Sequence, residues 1–291
     1  MLIKTELKNL GDKKHLIMCY YSNMELELHK AYDRRVVDRP KLTVVMIHGI
    51  ASDSTTYNAL LEVLEKREDL NDCRIVTYDL LGSGKSNSDD SLEYTYEEQL
   101  EALHNGISHL NLDSPLMLVG HSLGTFIVTR YVNTYPDEVS ELVLISPPIY
   151  LPEDYDNPLF AVGMKAFEKS VSSKQKDILQ NKAFKNSMKH IVMDRNNYSV
   201  LAGTKTPTTI IYGNDDKLIA SYNIPKLLKE NSKIKAVEVE GKHGVSSDKF
   251  EEVFKAFKEA VQKHSEDEKK SDAKTEEEAN SEKSKVEKGS K

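Results

Sequence analysis

Residues 116–135 read LMLVGHSLGTFIVTRYVNTY. Leu116–Val119 are apolar without alternation, the pattern of a strand covered on both faces. Gly120-His121-Ser122-Leu123-Gly124 follows, and FIVTRYVNTY then carries a helical pattern. A G-x-S-x-G run between a strand and a helix implies a sharp turn that strains the serine backbone and exposes its hydroxyl. Gly120 and Gly124 are required because a side chain at either position would meet the neighbouring strand or helix. The helix that begins after Ser122 aims its unpaired N–H groups and positive dipole end at the same place.

Working outward, short β-branched runs recur at 42–47, 74–78, 116–119, 142–145, 208–212 and 235–239. Helical patterns lie between and after them, at 54–68, 95–110, 223–230 and 247–263. The second opens on Thr95-Tyr96-Glu97-Glu98, a capping-box signature. The last places Phe250, Val253, Phe254, Phe257 and Val261 on one face. Strand and helix in alternation imply an α/β fold, with a mostly parallel central sheet and helices on both faces. Residues 1–8 and 15–21 read as a hairpin about Gly11-Asp12 that adds N-terminal antiparallel edge strands.

Between Pro147 and Pro207 the alternation stops. Amphipathic stretches there carry Phe160, Met164, Phe167, Phe184, Met188, Ile191 and Met193. An insertion of that length with its own apolar face reads as an inserted helical lid. After His264 the chain holds sixteen charges in twenty-seven residues and one larger aliphatic, Val286. Such a segment buries too little apolar surface to offset its ordering entropy. The expected division is a core of residues 1–146 and 207–264, a helical lid insertion at 147–206, and a charged, disordered tail at 265–291.

Composition removes several function classes. The chain of 291 residues has 40 basic and 47 acidic side chains, a net charge of −7, which is no footprint for a nucleic-acid partner. No apolar run reaches the ~18 residues of a membrane span, so no integral membrane association is expected. MLIKTELKNL lacks the apolar centre of a signal peptide. Cys19 and Cys73 read as reduced thiols of a cytoplasmic protein. No metal-ligand spacing is present.

A serine hydroxyl is a weak nucleophile that needs a base, and the base needs an orienting acid. Of the nine histidines, His243 lies in Glu240-Gly241-Lys242-His243-Gly244, after the last strand and before the final helix. A loop there reaches the carboxyl edge of a parallel sheet, where ligands of such folds bind. The acid is expected at the preceding strand end, in Ile211-Tyr212-Gly213-Asn214-Asp215-Asp216, where either aspartate could serve. Donors for a tetrahedral oxyanion are expected from the backbone N–H of Leu123 and of Ile50, the latter in the His48-Gly49-Ile50-Ala51 loop. His48 is read as a support for that loop rather than a reacting group, with Gly49, Gly120, His121 and Gly124 also supporting.

Together the His48-Gly49 loop, Asp79–Ser86, Gly120–Gly124, Gly213–Asp216 and His243 resemble the α/β-hydrolase fold superfamily, in its single-domain, lidded, serine esterase-like branch. The resemblance covers about residues 40–263. It implies that the acid is the second of the paired aspartates, Asp216, and that no cofactor is needed. Ser122 separates the chain from the branches that use an aspartate nucleophile, and an insertion without tryptophan departs from the C–C-bond hydrolases. The expectation is a serine hydrolase of carboxylic esters, with Ser122, Asp216 and His243 catalytic and a small-molecule substrate bearing an apolar acyl group. A thioesterase, amidase or acyltransferase uses the same three residues, and a ligand-binding protein of little turnover keeps the same fold. Oligomeric state is not encoded legibly.

Two stretches invite other readings. Gly82-Ser83-Gly84-Lys85-Ser86 resembles the end of a phosphate-binding loop, but Asp79 stands where that motif needs its first glycine. Residues 165–195 hold seven Lys and one Arg against three acidic residues, which reads as a solvated helix face, or as steering of anionic substrates. The stretch 22–40, with Arg34, Arg35, Asp38 and Arg39, has no functional reading.

Overall fold

The computed structural model describes residues 3–10, 13–20, 25–86, 88–156, 158–175, 177–193 and 197–289. Strands β1 (Ile3–Leu10) and β2 (Lys13–Tyr20) pair antiparallel in a sheet of their own. The main sheet has seven strands: β3 (Lys30–Arg34), β4 (Leu42–Ile47), β5 (Cys73–Tyr78), β6 (Leu116–His121), β7 (Val139–Ile145), β8 (Thr208–Gly213) and β9 (Ile234–Val239). Their order is β3-β5-β4-β6-β7-β8-β9, and every pair is parallel except β3 with β5. The hairpin therefore forms but adds no strand to the main sheet. The antiparallel edge strand comes instead from the 22–40 stretch.

Helices cover both faces. Strand parity sorts the core: Val45, Ile47, Leu118, Leu142 and Leu144 face one side, while Val44, Met46, Met117, Val119, Val143 and Ile145 face the other. The first side packs on α2 (Tyr96–Ser108), α3 (Leu123–Thr134) and α7 (Ile224–Glu230) through Leu103, Ile107, Phe126, Ile127 and Leu227. The second packs on α1 (Asn58–Leu64) and α8 (Ser247–Gly289) through Leu60, Leu64, Val253, Phe254 and Phe257. Each such burial contributes about 1.5–3 kcal/mol. The Thr95–Glu98 capping box that starts α2 is present in both directions, with Glu98 N donating to Thr95 Oγ1 and Thr95 N to Glu98 Oε2.

Between β7 and β8 the chain forms a 3₁₀ turn (Pro152–Asp156), α4 (Pro158–Lys174), α5 (Lys182–Ser187), one turn of π-helix (Met188–Met193) and α6 (Asn197–Gly203). No strand occurs there among the described residues. Tyr198 and Leu201 of α6 are buried in the same cluster as α3. At the other end, the tail expected to be disordered is helical backbone, because α8 runs through Gly289. Lysine, glutamate and alanine favour helix without needing a core, and side chains one turn apart pair, as Lys270 and Asp267 do at 3.5 Å. Among the described residues, no helix is long and apolar enough to cross a membrane.

The strand order positions the site. From β4 the chain turns outward to β5, whereas from β6 it turns the opposite way to β7. The loops leaving the carboxyl ends of these two neighbours diverge and open a crevice between them, where open α/β sheets bind their ligands. The loop after β4 carries His48, Gly49 and Ile50, and the turn after β6 carries Ser122.

Candidate active site

Ser122 caps α3 with φ 50° and ψ −117°, a backbone region that costs a non-glycine residue roughly 1–3 kcal/mol. The turn is held on both sides. Ser122 N donates to Ile145 O at 3.0 Å, while Thr125 N and Oγ1 donate to Ser122 O at 2.9 and 2.5 Å. The flanking glycines are needed for the reason the sequence suggested. A Cβ on Gly124 would lie 2.3 Å from Ile47 O, and one on Gly120 would lie 2.8 Å from the Gly124 backbone.

His243 sits between β9 and α8. Its Nε2 is 2.8 Å from Ser122 Oγ, and its Nδ1 is 2.9 and 3.1 Å from Asp216 Oδ2 and Oδ1. A carboxylate only accepts, so Nδ1 carries the proton and Nε2 is left to accept from the Ser122 hydroxyl. The Asp216 side chain is fully buried, and the His243 side chain is 20% exposed. Burial works against the Asp216 anion, but the His243 imidazole and the Leu218 N–H outweigh it and hold the carboxyl below the usual carboxylate range. Asp215 instead points outward and pairs with Lys217 at 2.8 Å. The two loops meet at Gly213, where a Cβ would lie 2.2 Å from Gly241 O.

Leu123, the first residue of α3, and Ile50 line one apolar slot with Ser122 and His243. Its walls are Tyr150, Met164, Phe167, Met188, Val192 and Leu218. A wider cleft of about 860 Å³ shares Ser122, Phe167, Leu218 and His243 with this slot and opens past Thr56, Gln175, Lys242 and Val245.

The supporting residues knit these loops together. His48 is buried, its Nδ1 2.7 Å from Gly49 O and its Nε2 accepting the Leu80 N–H. Burial holds its pKa below the usual histidine value, so the ring is neutral. Gly49 lies against His121 and Ser122, where a Cβ would meet ring and side-chain carbon at 3.0 and 3.1 Å. His121 is also buried and donates from Nε2 to His243 O at 3.0 Å. Asp79 closes off the phosphate-loop reading. Its carboxylate accepts from Ser54 N at 2.9 Å and Lys85 N at 3.0 Å, filling the space inside the Gly82–Ser86 loop.

A family model described as alpha/beta hydrolase fold matches residues 43–167. The chain has the α/β-hydrolase fold. Among solved structures of this fold, a bromoperoxidase from Bacillus anthracis is 19% identical with a TM-score of 0.62, covering 89% of this chain and 100% of that one. A thermophilic esterase from Thermogutta terrifontis is 17% identical with a TM-score of 0.61, covering 91% of this chain and 99% of that one. At such identities the likeness is one of fold. Among curated proteins, the probable lysophospholipase BODYGUARD 1 of Arabidopsis thaliana is 34% identical over 108 residues, which are 37% of this chain and 23% of that protein. A putative non-heme chloroperoxidase of Synechocystis sp. is 36% identical over 117 residues, 40% of each chain. The chain thus spans well under half the length of these curated relatives.

Two residues of the candidate site were not foreseen from the sequence. Lys249, in the first turn of α8, has no exposed surface, and its Nζ lies 2.5 and 2.7 Å from the carbonyl oxygens of Lys242 and Gly244. Ser146, just after β7, is fully buried with φ 51° and lies 3.1 Å from the same Nζ. Lys249 reads in sequence as one more polar position of an amphipathic helix, and a serine one residue past a strand reads as a turn. The only usable signal was the lysine's place one turn before Val253, on the apolar side of α8.

Proposed function

We propose that the protein is a serine hydrolase of carboxylic esters that works through an acyl-enzyme intermediate. The observation that carries this reading is the unbroken hydrogen-bonded line from Ser122 Oγ through His243 to the buried Asp216, with links of 2.8 and 2.9 Å.

In this reading Ser122 Oγ attacks the ester carbonyl carbon while His243 Nε2 takes the hydroxyl proton. The carbonyl oxygen becomes an oxyanion, met by the backbone N–H groups of Leu123 and Ile50. The C–O bond to the alcohol then breaks, and His243 returns its proton to the leaving oxygen. A water enters, gives a proton to His243 and attacks the acyl carbon, and the proton passes back to Ser122 as the acid leaves. Asp216 stays ionised throughout, fixes the Nδ1–H tautomer and stabilises the imidazolium. The acyl chain occupies the slot walled by Met164, Phe167 and Met188, which favours small to medium apolar groups, and the alcohol faces the wider cleft. The segment at 147–206 then acts as a lid over the acyl group. Relatives named as lipases and lysophospholipases support an ester as the bond attacked.

The Ser122→Ala variant tests the reading. It should abolish both p-nitrophenyl ester hydrolysis and labelling by a fluorophosphonate probe, with a thermal midpoint within a few degrees of the parent. Retained hydrolysis would refute the assignment.

A further inference from the structure

The loop that presents His243 is gripped from behind. Three consecutive carbonyls accept hydrogen bonds from side chains: Lys242 O and Gly244 O from Lys249 Nζ, and His243 O from His121 Nε2. Lys249 Nζ also lies 3.1 Å from Ser146 Oγ. The two carbonyls only accept, so Lys249 donates to both of them.

We propose that Lys249 is a positioning residue for the reaction described above. By holding the Lys242 and Gly244 carbonyls on either side of His243, and reaching Ser146 behind them, it sets the height of the imidazole over the serine. This inference rests on the serine-hydrolase reading. Burial pulls the Lys249 pKa below the usual lysine value, opposed by the charges of Asp216 and Asp248. A buried amine without partners would be costly, and here Nζ bonds two carbonyls and lies against a hydroxyl. Ser146 is held for this task at φ 51°, with its N–H on Ile211 O at 2.8 Å. Strain in a buried non-glycine residue persists only where its surroundings fix it.

The experiment measures kcat and KM of the full chain and of Lys249→Met on a p-nitrophenyl ester. The parent's fluorophosphonate labelling is recorded alongside. The expected result is a fall in kcat of about 10- to 100-fold, the loss that follows from removing buried hydrogen bonds, with KM changed less than about twofold. Unchanged kinetics, or a KM that rises in step with any fall in rate, would overturn the proposal while leaving the hydrolase reading intact. A parent that neither turns over nor labels would overturn both. If Lys249→Met gives no cooperative melt, Ser146→Ala decides: lowered kcat at unchanged KM supports the proposal, and parental kcat overturns it.

Discussion

His48 Nε2 accepts the Leu80 N–H at 2.9 Å, and through that bond a histidine at the end of β4 fixes the first turn after β5. The ring's other nitrogen donates to Gly49 O, the carbonyl of the peptide whose N–H belongs to Ile50. The proposed oxyanion donor is thus set by a neutral ring that never meets substrate. In His48→Ala two buried backbone groups lose their partners, at about 1–3 kcal/mol each. Urea unfolding should show a loss of that order, and kcat should fall with little change in KM. A variant of parental stability would mean that water replaces the ring.

Two buried neutral histidines make the fold sensitive to acid. Burial, reinforced by the neighbouring His243, pushes His121 down to about 3, and burial lowers His48 in the same direction. An unfolded histidine takes its proton near ~6.5, and the folded ring resists it. Stability is therefore fully present above about 6.5 and falls as pH drops from there toward the folded pKa, at up to ~1.4 kcal/mol per pH unit for each ring. Unfolding free energies at pH 7, 6 and 5 should decline, and His121→Asn should flatten the decline. An unaltered slope in that variant would show that other groups set it.

The two neighbouring aspartates should separate cleanly. Asp216→Asn keeps the shape but leaves His243 in the wrong tautomer, which costs about 10⁴-fold in kcat in a serine triad. Asp215→Asn breaks only an exposed pair with Lys217, so its rate and melting point should match the parent. Comparable losses at both positions would require another acid.

The apolar slot should set chain-length preference. Phe167→Ala and Met164→Ala enlarge the pocket beside Ser122. Losing wall contact costs about 1–3 kcal/mol per acyl methylene it held. Against p-nitrophenyl esters of increasing length, each variant should lose kcat/KM for butanoate or hexanoate more than for acetate. Equal losses across the series would move the acyl group to the wider cleft.

The strands that build the crevice were legible because they are buried on both faces, which leaves continuous apolar runs such as LTVVMI and LMLV. Ser122 and His243 were legible because each follows a strand end, where few positions can face the crevice; the strand end after β8 left Asp215 and Asp216 both open, and the family resemblance chose Asp216. What escaped was set by contacts between distant segments. No local pattern says that Lys30–Arg34, rather than the hairpin, would pair with β5, since β3 alternates weakly and carries charge. Lys249 escaped because its burial depends on three acceptors supplied by the His243 loop and the end of β7. The helical continuation of α8 escaped because reasoning from core burial overlooks a segment that propensity alone can order.

The five residues of β3 have an effect beyond completing the sheet. An unfinished β5 would offer a row of free amides to any passing extended chain. Its cover is short, shifts register between Lys30 and Tyr32, and carries a Lys30–Asp33 ion pair. Arg74 of β5 clasps Asp33 through two bonds of 2.9 Å. Intermolecular strand addition at that margin is thereby discouraged from within the chain, by a guard built far from the candidate site.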